Sequence, residues 1–195
     1  MFDLNQEQKH QMDRVDALER EVSQIYTTLV LPNWSGALHG FPETLYGLMM
    51  AVFARFDILS AYWKGNASST GQTDRMTEFL DTFVRRNTEA NSLAIQVWRH
   101  KLMRTSQPRY LVDQVTRKTY RWLLHWRDHL PRDQHFTLED AGEFKTLNLA
   151  LMYLIEDLRT ATAGYLDQLS TSPGLQDNYR RVKEELNSYT YTFRR

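Results

Sequence analysis

Residues 139–170 read EDAGEFKTLNLALMYLIEDLRTATAGYLDQLS, and how this stretch folds decides the fold class. Phe144, Leu147, Leu151, Leu154 and Leu158 recur at spacings of three and four, which places them on one face of an α-helix. The spacing predicts a single long helix from about Glu139 to Ser170, stopped by Ser172-Pro173-Gly174. Such a stripe needs other helices to cover it, so the expected class is all-α, an up-and-down helical bundle of four or five main helices.

Upstream, the sequence supplies the partners. Val15, Leu18, Val22, Ile25 and Leu29 form one apolar face within a first helix over Leu4–Leu29. Pro42 and Glu43 suit the first turn of a second helix, which runs to about Lys64 with a broad stripe of Leu45, Met49, Val52, Phe53, Phe56 and Leu59. After a polar loop between Gly65 and Gly71, Met76, Phe79, Leu80 and Phe83 mark a third helix that ends near Asn87. Leu93, Ala94, Val97, Trp98 and Leu102 mark a fourth, closed before Ser106 and Pro108.

Tyr110–Trp126 departs from this pattern. Val112, Val115, Thr116, Thr119, Tyr120 and Trp122 are β-branched or aromatic, and they predict a small β-hairpin insertion turning near Thr116-Arg117-Lys118-Thr119. A fifth helix through Tyr120–Trp126 is the competing reading, because the turn lacks Gly or Asn. Beyond Pro173, Tyr179, Val182, Leu186 and Tyr189 belong to a polar helical tail over 173–195 that joins the helical domain of 1–172.

The 195 residues suffice for one well-buried domain. The absence of cysteine excludes disulfides, thiolate nucleophiles and Cys-ligated metals. The longest apolar stretch, Leu45–Leu59, is interrupted by Arg55 and Asp57 and is shorter than the ~20 residues of a spanning helix, so no membrane partner is expected. The first thirty residues carry no secretory pattern, and a cytoplasmic location is the expectation.

Lys+Arg and Asp+Glu each number 24, yet the charge is segregated: Arg85–Arg132 holds eleven basic residues against Glu89, Asp113 and Asp128. Trp98, Tyr110, Tyr120, Trp122 and Trp126 are interleaved with those cations, a mixture suited to phosphate contact and base stacking. The same charges also fit a solvated basic face that pairs with the acidic first and last helices.

Within this region, Trp98-Arg99-His100-Lys101-Leu102-Met103-Arg104-Thr105-Ser106 resembles the signature helix of the HEPN superfamily, all-α nucleotide-binding domains with an Arg, a polar residue, a short spacer and a His. Arg99 and His100 match its first two places, and Asp74-Arg75 with Phe79 resembles the helix that precedes it. The likeness extends over about residues 4–170. It implies RNA binding or metal-independent endoribonuclease activity of bacterial defence or toxin type, in which the family's Arg, here Arg99, acts with the His that closes the signature; with that His missing, the candidate catalytic residues here are Arg99 and His100. Arg104 stands where the family has its second catalytic residue, His, and arginine stays charged and cannot accept a proton near neutral pH. His100, four residues earlier on the same helical face, is the remaining base. A site that binds without cleaving uses Trp98, Lys101, Arg104 and Arg109 alongside Arg99 to hold RNA phosphates or a partner's carboxylates. The resemblance also implies a homodimer with two motif helices facing across a two-fold axis; a non-catalytic dimeric module holding a protein partner is the alternative of a different class.

His125, His129 and His135, with Asp133, could be read as zinc ligands, but Pro131 and Arg132 interrupt their spacing, so structural or solvent-exposed roles, no metal and no cofactor are expected. No Gly-rich phosphate loop, nucleophile elbow or dinucleotide fingerprint occurs.

Overall fold

The computed structural model describes residues 3–31, 42–84, 87–98, 110–126 and 130–188. Helix α1 spans Leu4–Ile25, and the Asp3 carboxylate caps it by accepting from the N–H groups of Asn5 and Gln6. Val15 and Val22 are buried from its inner face. The α-helix ends four residues before the expected Leu29, and Tyr26–Val30 continues as a π-helical turn.

Helix α2, Pro42–Lys64, supplies the middle of the core, with Met49, Val52, Phe53, Phe56 and Leu59 fully buried. Its Thr44–Lys64 portion is long and apolar enough to cross a membrane by length and composition, and half of its most apolar window is buried within the fold. The polar residues that interrupt it are bound by its neighbours: Arg55 donates to Gln11 of α1 at 2.7 Å, and Asp57 accepts from Arg75 at 2.7 Å. Gly65 ends the helix at φ +70°, where a Cβ would collide with Arg181 and Asn178; the absence of a side chain lets the last helix dock there.

Helix α3 spans Gln72–Phe83 and α4 spans Thr88–Val97, the latter capped by Asn87 accepting from the Ala90 N–H. Arg75 on α3, 7% exposed, donates to Asp57, Ser60 and the carbonyls of Asn66 and Ser68. The Arg75 that resembles part of the family pattern therefore pins the α2–α3 loop.

The expected hairpin is present: β1 (Tyr110–Val112) pairs antiparallel with β2 (Thr119–His125). The helix expected from Glu139 is not. In its first third the chain forms β3 (Thr137–Ala141) and β4 (Phe144–Ala150), and helix α5 begins at Leu151 and runs to Thr171. The class is thus corrected from all-α with a small hairpin to mostly helical with a four-stranded mixed sheet, in the order β1-β2-β4-β3. The physical reason is that Leu147 satisfies two periodicities. It lies on the helical stripe with Phe144 and Leu151, and on the inward strand face with Leu149, a position the helical pattern leaves unused. Gly142 at φ +70° lets β3 and β4 turn tightly, and parallel pairing of β4 with β2 settles the choice.

The sheet is two hairpins set side by side, with β2 parallel to β4. Its inner face, carrying Trp122, Leu147 and Leu149, packs on the helical core. The chain returning from β2 to β3 crosses the end of β4. There Phe136 donates to the Asn148 carbonyl at 2.8 Å, and Met152 donates to the Trp126 carbonyl at 3.1 Å. Phe136 adopts φ +61°, a costly conformation for a bulky residue, with its ring buried. Helix α6, Pro173–Ser188, closes the domain by packing Tyr179 and Val182 against α2 and α5.

Candidate nucleic-acid interface

In β1 and β2, successive residues alternate between the core and the opposite, outward face of the sheet. Register puts Tyr110, Arg121 and Thr146 in one row across that face and Val112, Thr119 and Phe144 in the next. Tyr110 is 52% exposed, and its ring centroid lies 5.8 Å from that of Phe144. The Arg121 guanidinium stands 5.8 Å over the Phe144 ring, and its Nε donates to Thr146 Oγ1 at 2.6 Å. That hydrogen bond fixes a long cationic side chain beside two aromatic rings, an arrangement that offers stacking surface and positive charge together. Arg117 and Lys118 add exposed cations at the β1–β2 turn. The turn is held by Asp113, whose carboxylate accepts from the N–H groups of Thr116 and Val115; these bonds hold its carboxyl below the usual range.

On the inner side of the same hairpin lies an open groove of about 690 Å³, between α4 and the strands. Glu89, Ser92, Leu93 and Gln96 form one wall, and Leu111 and Tyr120 the other. Lys145 of β4 donates to Glu89 Oε1 at 2.9 Å and Oε2 at 3.3 Å, while the Tyr120 hydroxyl reaches Oε1 at 3.4 Å. The hydrogen bond to Glu89 raises the pKa of Lys145; burial, with the Glu89 charge, raises that of the Tyr120 phenol.

Of the residues singled out in sequence, Trp98 is 4% exposed and stacks on Phe53 with centroids 6.0 Å apart. It belongs to the core, where its ring has no free face for a base. Trp122 and Trp126 are likewise buried, so among the five aromatic residues first named, Tyr110 is the exposed one and Tyr120 lines the groove. Arg99, His100, Lys101, Arg104 and Arg109 lie outside the described residues. In sequence, 99–109 link α4 to β1, the elements that form the two walls of the groove. The helical reading assigns Phe144 to the core and so hides its outward role, and composition registers Arg121 as charge without its place over the Phe144 ring.

His135 is buried and structural. Its Nδ1 accepts from the Ala150 N–H at 3.0 Å and its Nε2 lies 3.0 Å from Asp157 Oδ2, contacts that fit a neutral ring with the proton on Nε2. Arg132 donates to the other Asp157 oxygen and to the Tyr153 carbonyl. Burial opposes ionisation of Asp157, but the His135 hydrogen bond and the Arg132 charge outweigh it and hold the carboxyl below its ordinary range. Among the described residues no group of three or more His, Asp or Glu is arranged to hold a metal ion.

Comparison with protein-family models, with curated proteins and with solved structures finds no match for this chain.

Proposed function

We propose that this protein binds single-stranded RNA on the outward face of its sheet, without cleaving it. The observation that carries this reading is the row of an exposed Tyr110, a Thr146-anchored Arg121 and the adjacent Phe144 ring. Bases of any identity can stack on such rings, while Arg121 and the turn cations Arg117 and Lys118 meet the phosphates. The excess of basic residues over 85–132 extends that field in sequence. Binding requires no proton transfer, in keeping with Arg104 at the place where the resembling family has its second catalytic residue.

The test is fluorescence anisotropy with labelled oligouridine of about 12 nucleotides, within the usual site sizes for such surfaces. Affinity is expected to fall steeply with salt as phosphate counterions are released. Tyr110→Ala is expected to weaken binding by about 5- to 150-fold, the effect of removing ~1–3 kcal/mol of stacking, while changing stability by no more than about 0.5 kcal/mol. Absent or salt-insensitive binding, or binding that ignores this substitution, overturns the reading. Equal binding of the matching deoxyoligomer would extend it to DNA.

A further inference from the structure

β1 is the end strand of the sheet, and its open edge borders the groove. The Asp113 N–H donates to the Lys118 carbonyl at 3.0 Å, so 113 and 118 are a hydrogen-bonded pair, and alternation along an antiparallel ladder makes Leu111 and Tyr120 the next one. The N–H and C=O groups of Tyr110 and Val112 therefore point away from β2, and among the described residues nothing pairs with them. Sheet edges are commonly protected by charge or proline, yet Tyr110-Leu111-Val112 has neither, and Val112 is 57% exposed. Leu111 and Asp113 share the inward parity and line the groove together with Leu93 of α4. Glu89 is already held by Lys145 at 2.9 Å. Asp113 is not so held: Oδ1 accepts both turn bonds, and among the described residues Oδ2 accepts none and no Lys or Arg lines the groove.

We propose that this edge takes an extended segment of another protein as a fifth strand, antiparallel to β1 and carrying the pattern basic–x–apolar. In that direction, the more stable one for a ladder, the basic residue falls opposite Asp113, x opposite Val112 and the apolar residue opposite Leu111. The middle residue exchanges both backbone bonds with Val112, and its two neighbours turn their side chains into the groove. There the cation meets Asp113 Oδ2 and the apolar side chain meets Leu111 and Leu93, within an open volume of about 690 Å³. Charge selects the class of partner, since an acidic groove disfavours a phosphate or an acidic segment. Length selects a flexible segment over a second folded copy: three residues offer about 10 Å of edge, too short a line of contact for the ~1,200 Å² of a stable interface between folded domains. The site lies apart from the ring row of the outward face, so the assignment does not depend on RNA binding.

The probe is an acetylated and amidated peptide, Thr-Thr-Lys-Val-Leu-Thr-Thr, titrated into the full chain and followed by amide chemical shifts. Saturable shifts in 88–96 and 110–114 are expected, with slower hydrogen exchange at the Val112 amide. Methylating the backbone nitrogen of the peptide's Val removes the N–H that meets the Val112 carbonyl, and is expected to weaken binding by about tenfold or more. Replacing the peptide's Lys by Glu is expected to weaken it by about two- to fivefold. Asp113→Asn, whose amide oxygen still accepts the turn bonds, is expected to erase that Lys–Glu difference. Val112→Pro removes the outward N–H without removing a bond to β2 and is expected to abolish peptide binding; if this variant fails to fold, the methylated peptide on the unaltered chain decides the same point. No binding of the parent peptide, equal binding of the methylated one, or shifts confined to other residues overturns the assignment. A dimer of the chain alone that Val112→Pro returns to monomer in sedimentation also overturns it, by giving the edge to a second copy.

Discussion

The two faces of the sheet put similar residues to opposite uses. On the inner face, Trp122 is 5% exposed and meets Phe53 edge-on with centroids 6.1 Å apart. On the outer face, one residue earlier, Arg121 stands over Phe144. Aromatic and cationic composition therefore does not locate an interface; strand parity does. A shift of one residue would exchange core and surface, and it is the pairing of β2 with β4 that fixes the parity.

One substitution on each face tests this contrast most strongly. Trp122→Ala is expected to lower stability by about 3–5 kcal/mol, the usual loss for a large buried ring. Tyr110→Ala is expected to cost no more than about 0.5 kcal/mol, as at an exposed position outside the core. Urea denaturation followed by circular dichroism reads both, and comparable losses at the two sites would break the distinction between the faces.

How far the sequence revealed this arrangement follows from the range of the interactions involved. Helix α2 was legible from end to end because its stripe of Met49, Val52, Phe53, Phe56 and Leu59 fits one period, and each of these side chains is buried. The β1–β2 hairpin was legible from Val112, Thr119 and Tyr120, although its turn uses Arg117 at φ +58° where Gly or Asn is usual. Residues 137–150 were not legible. Lys145, Thr146 and Leu147 become a strand through Tyr120, Arg121 and Trp122, twenty-five positions earlier, and a local period cannot register a partner at that distance. The outward site went unread for the same reason: Tyr110, Arg121 and Phe144 meet only after the two hairpins align.

Alignment of the hairpins depends on the crossing chain at the end of β4, which gives a prediction of intermediate size. Asp157→Asn should cost about 1–3 kcal/mol at neutral pH by weakening the bonds to His135 and Arg132. Because the Asp157 carboxyl is held below its ordinary range, its contribution is fully present above that range, near pH 4 and upward. It is lost as the pH falls through the lower folded value. The gap in urea midpoint between parent and variant should therefore narrow as the solution is acidified. A gap that widens in acid would show that the carboxyl does not carry the joint.

A smaller effect than that of Asp157 concerns the turns that end the two hairpins. The β3–β4 turn uses Gly142 at φ +70°, whereas the β1–β2 turn places Arg117 at φ +58°. A side chain in that region costs roughly 1–2 kcal/mol, and glycine loses roughly 0.5–1 kcal/mol more chain entropy on folding. Arg117→Gly should thus raise stability by about 0.5–1 kcal/mol, read as a small increase in the urea midpoint with unchanged slope. The same substitution removes a cation at the end of the outward face. If Arg117 meets a phosphate there, the slope of log affinity against log salt for oligouridine should decrease in magnitude by about 0.7, one counterion's worth for a single strand. A more stable protein with a shallower salt slope would show that the strained turn is retained for its charge; a more stable protein with an unchanged slope would remove Arg117 from the RNA contacts.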